Sequence, residues 1–230
     1  MKSLVLAIAI SLASVTACNF TITGSGNNNE TEIVGSSAEQ TRSFELSAFD
    51  DLTISIPCDV VYESGAPKVV VVASEKYMEH ILVEQNSDGS VIIKSDGSKI
   101  RSFKNTRIYV TSDRLSALTV NGAVDMECKH GIRSAGNFDL TLNGAGDLEI
   151  KGLDADNIDI RCNGAADIEI LDICAASVNV TINGAGDATL SGDVDEAALT
   201  INGAGDINAR GLNARSIRPS VRGIGSIVTR

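Results

Sequence analysis

Residues 141–150 read Thr-Leu-Asn-Gly-Ala-Gly-Asp-Leu-Glu-Ile, and the pentapeptide 143–147 at their centre recurs along the second half of the chain. Four further copies keep the Asn-Gly-Ala start and the closing Asp, and a sixth copy, Arg222–Ser226, is degenerate. The copies begin at positions 121, 143, 163, 183, 202 and 222, so their spacings are 22, 20, 20, 19 and 20 residues. A constant period in this range is typical of a solenoid, in which each structural unit stacks on the one before it.

Apolar and polar residues alternate strictly on both sides of each pentapeptide. In the copy at 143, Leu140 and Leu142 flank Thr141, and the same order returns after the turn, where Leu148 and Ile150 enclose a glutamate. Period two is the pattern of a half-buried strand, and this density of glycine disfavours a helix. The repeat therefore predicts an all-β fold, a β-solenoid with ~20-residue coils whose equivalent residues lie ~4.8 Å apart along the axis.

Two polar columns mark each predicted corner. We expect the asparagines to stack as an amide ladder along the inside of the corner, and Arg222 to end that ladder. The aspartates have two interpretations: each caps its own turn through an Asx hydrogen bond, or the column binds Ca²⁺ through carboxylate oxygens. Neighbouring charges at this spacing repel by only about 1 kcal/mol in water, so the column does not require a metal. We assign no metal, cofactor or catalytic residue. The aspartates are Asp125, Asp147, Asp167, Asp187 and Asp206.

The first forty residues have the features of an export signal and a linker. Lys2 precedes an apolar run at 4–12 that is too short to span a bilayer. Val15-Thr16-Ala17-Cys18 resembles the lipobox of bacterial lipoproteins, which implies cleavage before Cys18 and fatty acyl chains such as palmitate on it. The alternative is an ordinary signal peptide with a cysteine there by chance. We predict a lipoprotein signal peptide at 1–17 and a flexible tether at 18–40, rich in Gly, Ser, Asn, Thr and Glu.

Residues 41–115 are less regular than the repeats at 116–230. We expect irregular early coils that cap one end of the solenoid, with one short helix from Ser74 to about Val83 and Ser74 as its cap. Turn signals at 86–89 and 95–97 separate predicted strands at Val91–Lys94 and Thr106–Val110.

Residues 41–230 resemble the family called "putative auto-transporter adhesin, head GIN domain". The resemblance depends on the Gly-rich turns followed by Asp, and on Ser43–Phe49, Leu52–Ile56, Asp59–Glu63 and Val69–Val72 upstream. It implies a single-stranded right-handed β-helix in a surface or periplasmic lipoprotein, often from gut Bacteroidetes. It brings no catalytic residues.

The composition argues against two classes of function, nucleic-acid binding and catalysis. A formal net charge of -11 argues against nucleic acid. Three features argue against an enzyme: the absence of Trp, the presence of only His80 and His130, and the lack of an insertion that would build a cleft.

We expect a cell-envelope lipoprotein with a non-catalytic head for adhesion, surface binding or scaffolding. It would bind the membrane through Cys18, with a surface glycan or a protein as candidate partner. The alternative is a carbohydrate-active enzyme or an accessory glycan-binding module. Asn19 does not match the Asp retention signal of inner-membrane lipoproteins, so we expect the outer membrane, and either face of it.

Two further features have more than one interpretation. An even number of cysteines after Cys18 permits disulfides, yet Cys128 and Cys162 fall in different inward columns, which favours buried thiols.

No acidic residue follows Asp206, whereas five arginines do. These arginines either discourage end-to-end stacking of an exposed strand edge or contact an anionic partner such as a glycan or lipid head group. The four cysteines are Cys58, Cys128, Cys162 and Cys174, and the arginines are Arg210, Arg215, Arg218, Arg222 and Arg230.

Overall fold

The computed structural model describes residues 38–98 and 103–230, which contain seventeen strands and one short helix. The elements before the repeats are β1 (Glu39–Glu45), β2 (Asp51–Ile54), β3 (Cys58–Ser64), β4 (Lys68–Ser74), α1 (Glu75–Met78), β5 (Ile81–Gln85), β6 (Val91–Ser95) and β7 (Arg107–Ser112). The elements of the repeats are β8 (Ala117–Val120), β9 (Val124–Cys128), β10 (Ile132–Arg133), β11 (Phe138–Leu142), β12 (Ala145–Asp154), β13 (Asn157–Cys162), β14 (Ala165–Ile182), β15 (Ala188–Ile201), β16 (Ile207–Val221) and β17 (Ile227–Val228).

Parallel stacking of strands builds three walls. On the wall before each pentapeptide, Leu140 of β11 is in register with Leu118 of β8 and with Ile160 of β13. On the wall after it, Ile150 of β12 is in register with Cys128 of β9 and Ile170 of β14. A third, shorter wall joins β10 to the end of β12 and to later coils. The predicted β-solenoid of ~20-residue coils is therefore confirmed, with about six coils.

The alternation of the sequence determines which side chains are inside. Leu140 and Ile150 are fully buried, whereas Thr141 and Glu149 beside them are partly exposed. The buried apolar residues form one cluster that extends from Phe44 to Leu212. Each buried Ile or Leu contributes roughly 1.5–3 kcal/mol, so the stacked aliphatic columns supply most of the stability of the coils.

The first coils do not follow the order of the chain. Strand β2 lies between β6 and β8, both parallel to it. Strand β3 lies in the same way between β7 and β9. The remaining edges of β6 and β7 are covered by β5 and β4, which run antiparallel to them. At this end the outermost strands are therefore β1, which pairs with β4, and β5, and each is paired on one side only among the described strands.

The predicted helix is much shorter in the structure. It covers Glu75–Met78 only, and the residues from Ile81 onward form β5. Ser74 holds the N-cap position, but its side chain makes no capping hydrogen bond. Pairing of Ile81 with Ser95 of β6 continues the sheet, and this tertiary pairing outweighs the local preference for helix.

Within residues 38–98 and 103–230, no helix has the length and hydropathy needed to cross a membrane.

Candidate functional site

The asparagines at the corner form a ladder of side-chain hydrogen bonds. Each amide Nδ2 donates to the Oδ1 of the asparagine one coil earlier, and the first asparagine of the ladder donates to Ser55 Oγ at 3.2 Å. The four inter-coil bonds are Asn143 to Asn121 at 2.9 Å, Asn163 to Asn143 at 2.9 Å, Asn183 to Asn163 at 2.8 Å and Asn202 to Asn183 at 2.8 Å.

This ladder lies on the outside of the corner, so the prediction of an inside position is wrong. All five asparagines are exposed. The reason is the period of two: the residue before each asparagine, such as Leu142, points inward, and the asparagine must therefore point out. The ladder stops at Asn202 in the described structure, although the backbone N–H of Arg222 still donates to the Ile201 carbonyl at 2.7 Å.

Four of the five corner aspartates accept a hydrogen bond from a backbone N–H group of the following coil. Asp167 Oδ1 accepts from Asp187 N–H at 3.0 Å, and Asp187 Oδ1 accepts from Asp206 N–H at 2.7 Å. Asp206 Oδ1 accepts from both the N–H and the hydroxyl of Ser226, at 2.6 and 2.8 Å. The prediction that each aspartate caps its own turn is therefore wrong, because the donor belongs to the next coil. In the described part of the chain, no three His, Cys, Asp or Glu side chains are grouped to hold a metal ion.

The first glycine of each corner is required by the close approach of successive coils. A Cβ at Gly164 would overlap the carbonyl oxygen of Gly144. The second glycine also needs an unusual backbone angle, as at Gly186, where φ is +152°. Ala166 stands at that position in the third copy, and the chain there is a regular strand of β14. The corner is thus a tightly stacked edge whose outward side chains are small or polar in the five complete copies.

An open groove runs along a different corner, where the third wall ends and the chain turns into the wall before the next pentapeptide. Its volume is about 770 Å³. Small apolar residues form its floor, including Ala155 and Val194, and carboxylates line its rims, including Asp193 and Asp195. Asp193 accepts a hydrogen bond from Asn213, and Asp195 pairs with Arg215 at 3.1 Å. No aromatic side chain lines this groove. It therefore lacks the stacking platform that a sugar site of the alternative prediction would use.

The two histidines lie in separate surroundings. His80 Nδ1 is 2.9 Å from Asp96 Oδ2, and His130 Nδ1 is 4.0 Å from Glu63. His130 is 71% exposed at its corner. The structure therefore does not bring them together in one site.

The described cysteines are unpaired. Cys128 and Cys162 are buried thiols, as their inward columns predict, Cys58 is also buried, and Cys174 is exposed. Burial, followed by the charges of Asp59 and Asp125, raises the pKa of Cys58 to about 12. Burial also raises the pKa of the Cys128 and Cys162 thiols. None of the three is poised to act as a nucleophile, because the thiolate is the reactive form.

The arginines after Asp206 divide into two groups. Arg215 pairs with Asp195, and Arg218 pairs with Glu196 at 2.9 Å. Within the described residues, Arg210, Arg222 and Arg230 have no carboxylate within 4.0 Å. The charges of the second group are therefore not paired with a carboxylate in the described structure.

Exposed apolar residues accompany these arginines, and the sequence reasoning missed them. Ile224 is 81% exposed and Val221 is 44% exposed. Ile224 stands in the column held by alanine in the earlier corners and is bridged to Ala204. The signal was present in the sequence, since a large apolar residue replaces the outward alanine of the repeat.

Cys18 lies outside the described residues, as do the signal peptide at 1–17 and most of the tether at 18–40. Lipidation of Cys18 therefore stays a prediction.

The sequence matches the family described as "Putative auto-transporter adhesin, head GIN domain" in two overlapping segments, residues 48–172 and 139–230. A search of curated proteins finds no match.

Solved structures share the fold at low sequence identity. A putative adhesin from Bacteroides fragilis is 19% identical, with a TM-score of 0.70 over 85% of this chain and 98% of that chain. A putative adhesin from Parabacteroides distasonis is 19% identical, with a TM-score of 0.75 over 85% and 83% of the two chains. A structure titled putative lipid binding protein, also from Parabacteroides distasonis, is 19% identical, with a TM-score of 0.58 over 85% and 98%. At these identities the likeness shows the fold.

The two matched segments together span residues 48–230 of the 230-residue chain, and they include every corner of the repeat. The stacked coils agree with the fold of the solved structures. The chain belongs to the family of the putative auto-transporter adhesin, head GIN domain.

Proposed function

We propose that this chain is a cell-envelope lipoprotein whose β-solenoid head acts as a non-catalytic adhesin or scaffold that binds other surface components. The observation that carries the proposal is the family match over residues 48–230. The family description names an adhesin head, and two similar structures are titled putative adhesins.

The surface of the head suits this role. Stacked coils repeat each outward side chain at the strand spacing of ~4.8 Å, which produces long rows of like groups. The asparagine ladder at 121–202 ties five coils together on their outer side. Such a surface offers an extended, stiff contact area, and extended solenoid surfaces are commonly used for binding.

The polar groups of the head support a binding role over catalysis. The corner carboxylates of Asp167, Asp187 and Asp206 are used by backbone N–H groups of the next coil. The groove at Asp193 and Asp195 has these carboxylates engaged by Asn213 and Arg215. A catalytic acid or base would need a free carboxyl group or imidazole beside a substrate cleft.

The proposed membrane anchor is Cys18, the last residue of the lipobox-like stretch Val15–Cys18. Acyl chains on Cys18 would hold the head at the outer membrane, because two or more chains anchor a protein stably where one gives only weak binding. The tether at 18–40 would set the distance between the head and the bilayer.

The anchor is tested by the Cys18→Ser variant in the bacterial host. We expect wild-type protein in the membrane fraction, with an acyl-modified N-terminal peptide by mass spectrometry, and Cys18→Ser protein in the soluble fraction. Cys174→Ser is the matched control, because it removes an exposed cysteine outside the lipobox. A membrane-bound, unmodified Cys18→Ser protein would contradict lipidation.

The binding role is tested on intact cells and on the isolated head. Protease shaving of intact cells should release fragments of residues 41–230 if the head faces outward. A strain lacking the protein should adhere less to its natural surfaces, and the wild-type gene should restore adhesion. A glycan array with the soluble head, followed by analysis of the glycans for cleavage, covers the alternative. Cleaved glycans would contradict the non-catalytic role.

A further inference from the structure

The solenoid ends differently at its two ends in the described structure. At the first end, β5 and the pair β4 and β1 cover the parallel walls at β6 and β7, and the free edges belong to β1 and β5. At the other end, β17 pairs with only Ile207 and Asn208 of β16, so the rest of β16 has a free edge. The inward column is uncovered there: Pro219 is exposed, although its neighbour Leu199 in the coil below is fully buried. We call this surface, formed by residues 210–230, the open end.

The open end combines positive charge with protruding apolar groups. Arg210, Arg222 and Arg230 carry charges that no nearby carboxylate neutralises among the described residues. Arg230 lies on Arg210, because its Nε donates to the Arg210 carbonyl oxygen at 2.8 Å. Ile224 is exposed at the last corner, and Val221 just before that corner is exposed because no further coil covers it, whereas its neighbour Ile201 one coil earlier is fully buried. The rest of the molecule is strongly acidic, with 30 Asp and Glu in the whole chain and none of them after Asp206.

Strand addition is blocked at the exposed end of the core. In the wall before each pentapeptide, the backbone N–H of an outward residue donates to the preceding coil, as Asp139 N–H does to the Ser116 carbonyl at 2.9 Å. Successive residues of a parallel strand bond to opposite neighbours, so the N–H of an inward residue points to the following coil. Pro219 is in register with the inward Leu199, so the N–H that would meet an added strand is missing.

A second copy of the chain does not fit this surface. Head-to-tail stacking would have to pair β16 with the free outer edge of β1 or β5 at the first end, and the missing N–H of Pro219 opposes such a strand pairing at the end of the core. Stacking of two open ends would bring the unpaired arginines of both copies together, and like charges facing each other are unfavourable.

A glycan is also a poor match. Sugar rings bind proteins largely by stacking on aromatic side chains, and no aromatic residue occurs after Phe138. Arginines around protruding aliphatic side chains are instead the composition of protein surfaces that lie on anionic bilayers.

We infer that the open end docks onto an anionic phospholipid bilayer. Arg210, Arg222 and Arg230 contact the phosphate groups, and Ile224 with Val221 enters the boundary between head groups and acyl chains. The unpaired backbone groups of β16 stay at the hydrated head-group level, where water satisfies them. This inference deepens the proposed surface-binding role by naming a partner, and it rests on that role.

The experiment is vesicle co-sedimentation of the soluble head, residues 38–230, which contains all described strands and the whole buried core. The match covers 98% of the Bacteroides fragilis chain, so that structure consists of this fold without a further domain. The probes are vesicles of phosphatidylglycerol and phosphatidylcholine at roughly 1:2, and pure phosphatidylcholine. We expect binding to the anionic vesicles only, weakening as salt rises.

Three variants locate the surface. Arg210→Ser, Arg222→Ser and Arg230→Ser combined should weaken binding about a hundredfold, at about fivefold per arginine. Ile224→Ala restores the residue of the earlier corners, so it keeps the fold, and it should weaken binding severalfold. The control combines Arg107→Ser, Lys129→Ser and Lys151→Ser, which changes the net charge equally but away from the open end. It should bind like the wild type.

Equal binding to both kinds of vesicle, no binding at low salt, or unchanged binding of the triple open-end variant would overturn the inference. A dimer that the same variants abolish would assign the surface to a second copy instead. These outcomes are separate from the proposed function, because lipidation of Cys18 and cell adhesion are measured without vesicles. Intact adhesion with failed vesicle binding overturns the inference alone.

Discussion

The amide of Asn163 donates a hydrogen bond to Asn143, one coil earlier, over 2.9 Å, and its own Oδ1 accepts one from Asn183 at 2.8 Å. Residues that are 20 positions apart in the chain are thus linked side by side. The link is made on the solvent side of the corner, where each bond competes with water.

Replacing a middle rung of the ladder should cost more than replacing its last rung. Asn163→Ala removes two inter-coil bonds, whereas Asn202→Ala removes the one bond that Asn202 makes to Asn183. A hydrogen bond contributes about 0.5–1.5 kcal/mol. We expect Asn163→Ala to lower the free energy of unfolding by about 1 kcal/mol more than Asn202→Ala. Denaturant titration measures both, and equal losses would mean that the ladder does not stabilise the coils.

Gly164→Ala should be among the most damaging single substitutions. The new Cβ would overlap the Gly144 carbonyl oxygen, and neither backbone can move without separating the coils. We expect the free energy of unfolding to fall by more than about 2 kcal/mol. Gly136→Ala is the control, because the nearest atom to its new Cβ is Asp156 Oδ2 at 4.0 Å. Similar melting temperatures for the two variants would show that coil spacing is not fixed at this corner.

Aspartates of the corner should act as hydrogen-bond acceptors. Asp187→Asn keeps an oxygen that can accept the N–H of Asp206, whereas Asp187→Ala leaves that N–H without it. We expect Asp187→Ala to lose about 1–3 kcal/mol of stability and Asp187→Asn to lose clearly less. The melting temperature of the wild type should not change with EDTA or added Ca²⁺. A rise with Ca²⁺ that both variants abolish would restore the calcium hypothesis.

Acid should loosen the contact between Asp96 and His80. The side-chain hydrogen bond with His80, followed by the backbone N–H of Ser98, lowers the pKa of Asp96 from 3.8 to about 2. Because the folded value is the lower one, the contribution to stability is complete above about pH 3.8 and is lost as the pH falls through about 2. NMR titration should show the pKa of Asp96 rising toward 3.8 in His80→Gln.

Asp88 is the internal reference for that titration. Its pKa is lowered by hydrogen bonds from Ser90, so it should titrate alike in wild type and His80→Gln. An Asp96 curve that does not move in the variant would disprove the role of His80.

Only one cysteine of the soluble head should react with a thiol reagent while the protein is folded. Cys174 is exposed, whereas the thiols of Cys58, Cys128 and Cys162 are buried, and Cys58 has its pKa raised to about 12. Mass spectrometry after brief iodoacetamide treatment should show one adduct in buffer and four in denaturant, with no change on prior reduction. Two fewer adducts without reductant would indicate a disulfide.

The sequence alone predicts the repeats well, because alternation and spacing are local signals. The same alternation, applied to Asn143 after the inward Leu142, places the ladder outside, so that error was avoidable. The partner of Asp187 was not predictable in this way, because its donor belongs to Asp206 in the next coil. The helix at Glu75–Met78 ends early for a similar reason, since Ile81 pairs with a strand that follows later in the chain.

The position of β2 between β6 and β8 has a consequence for how the chain folds. As the protein emerges from the ribosome, Ile54 has neither of its neighbours, Ile93 and Val120. About half of the polypeptide must be synthesised before that coil is closed on both sides, and loop closure over such separations is slow. Each later coil pairs with the coil that precedes it in the chain, so the later coils can add rapidly once this first coil is complete.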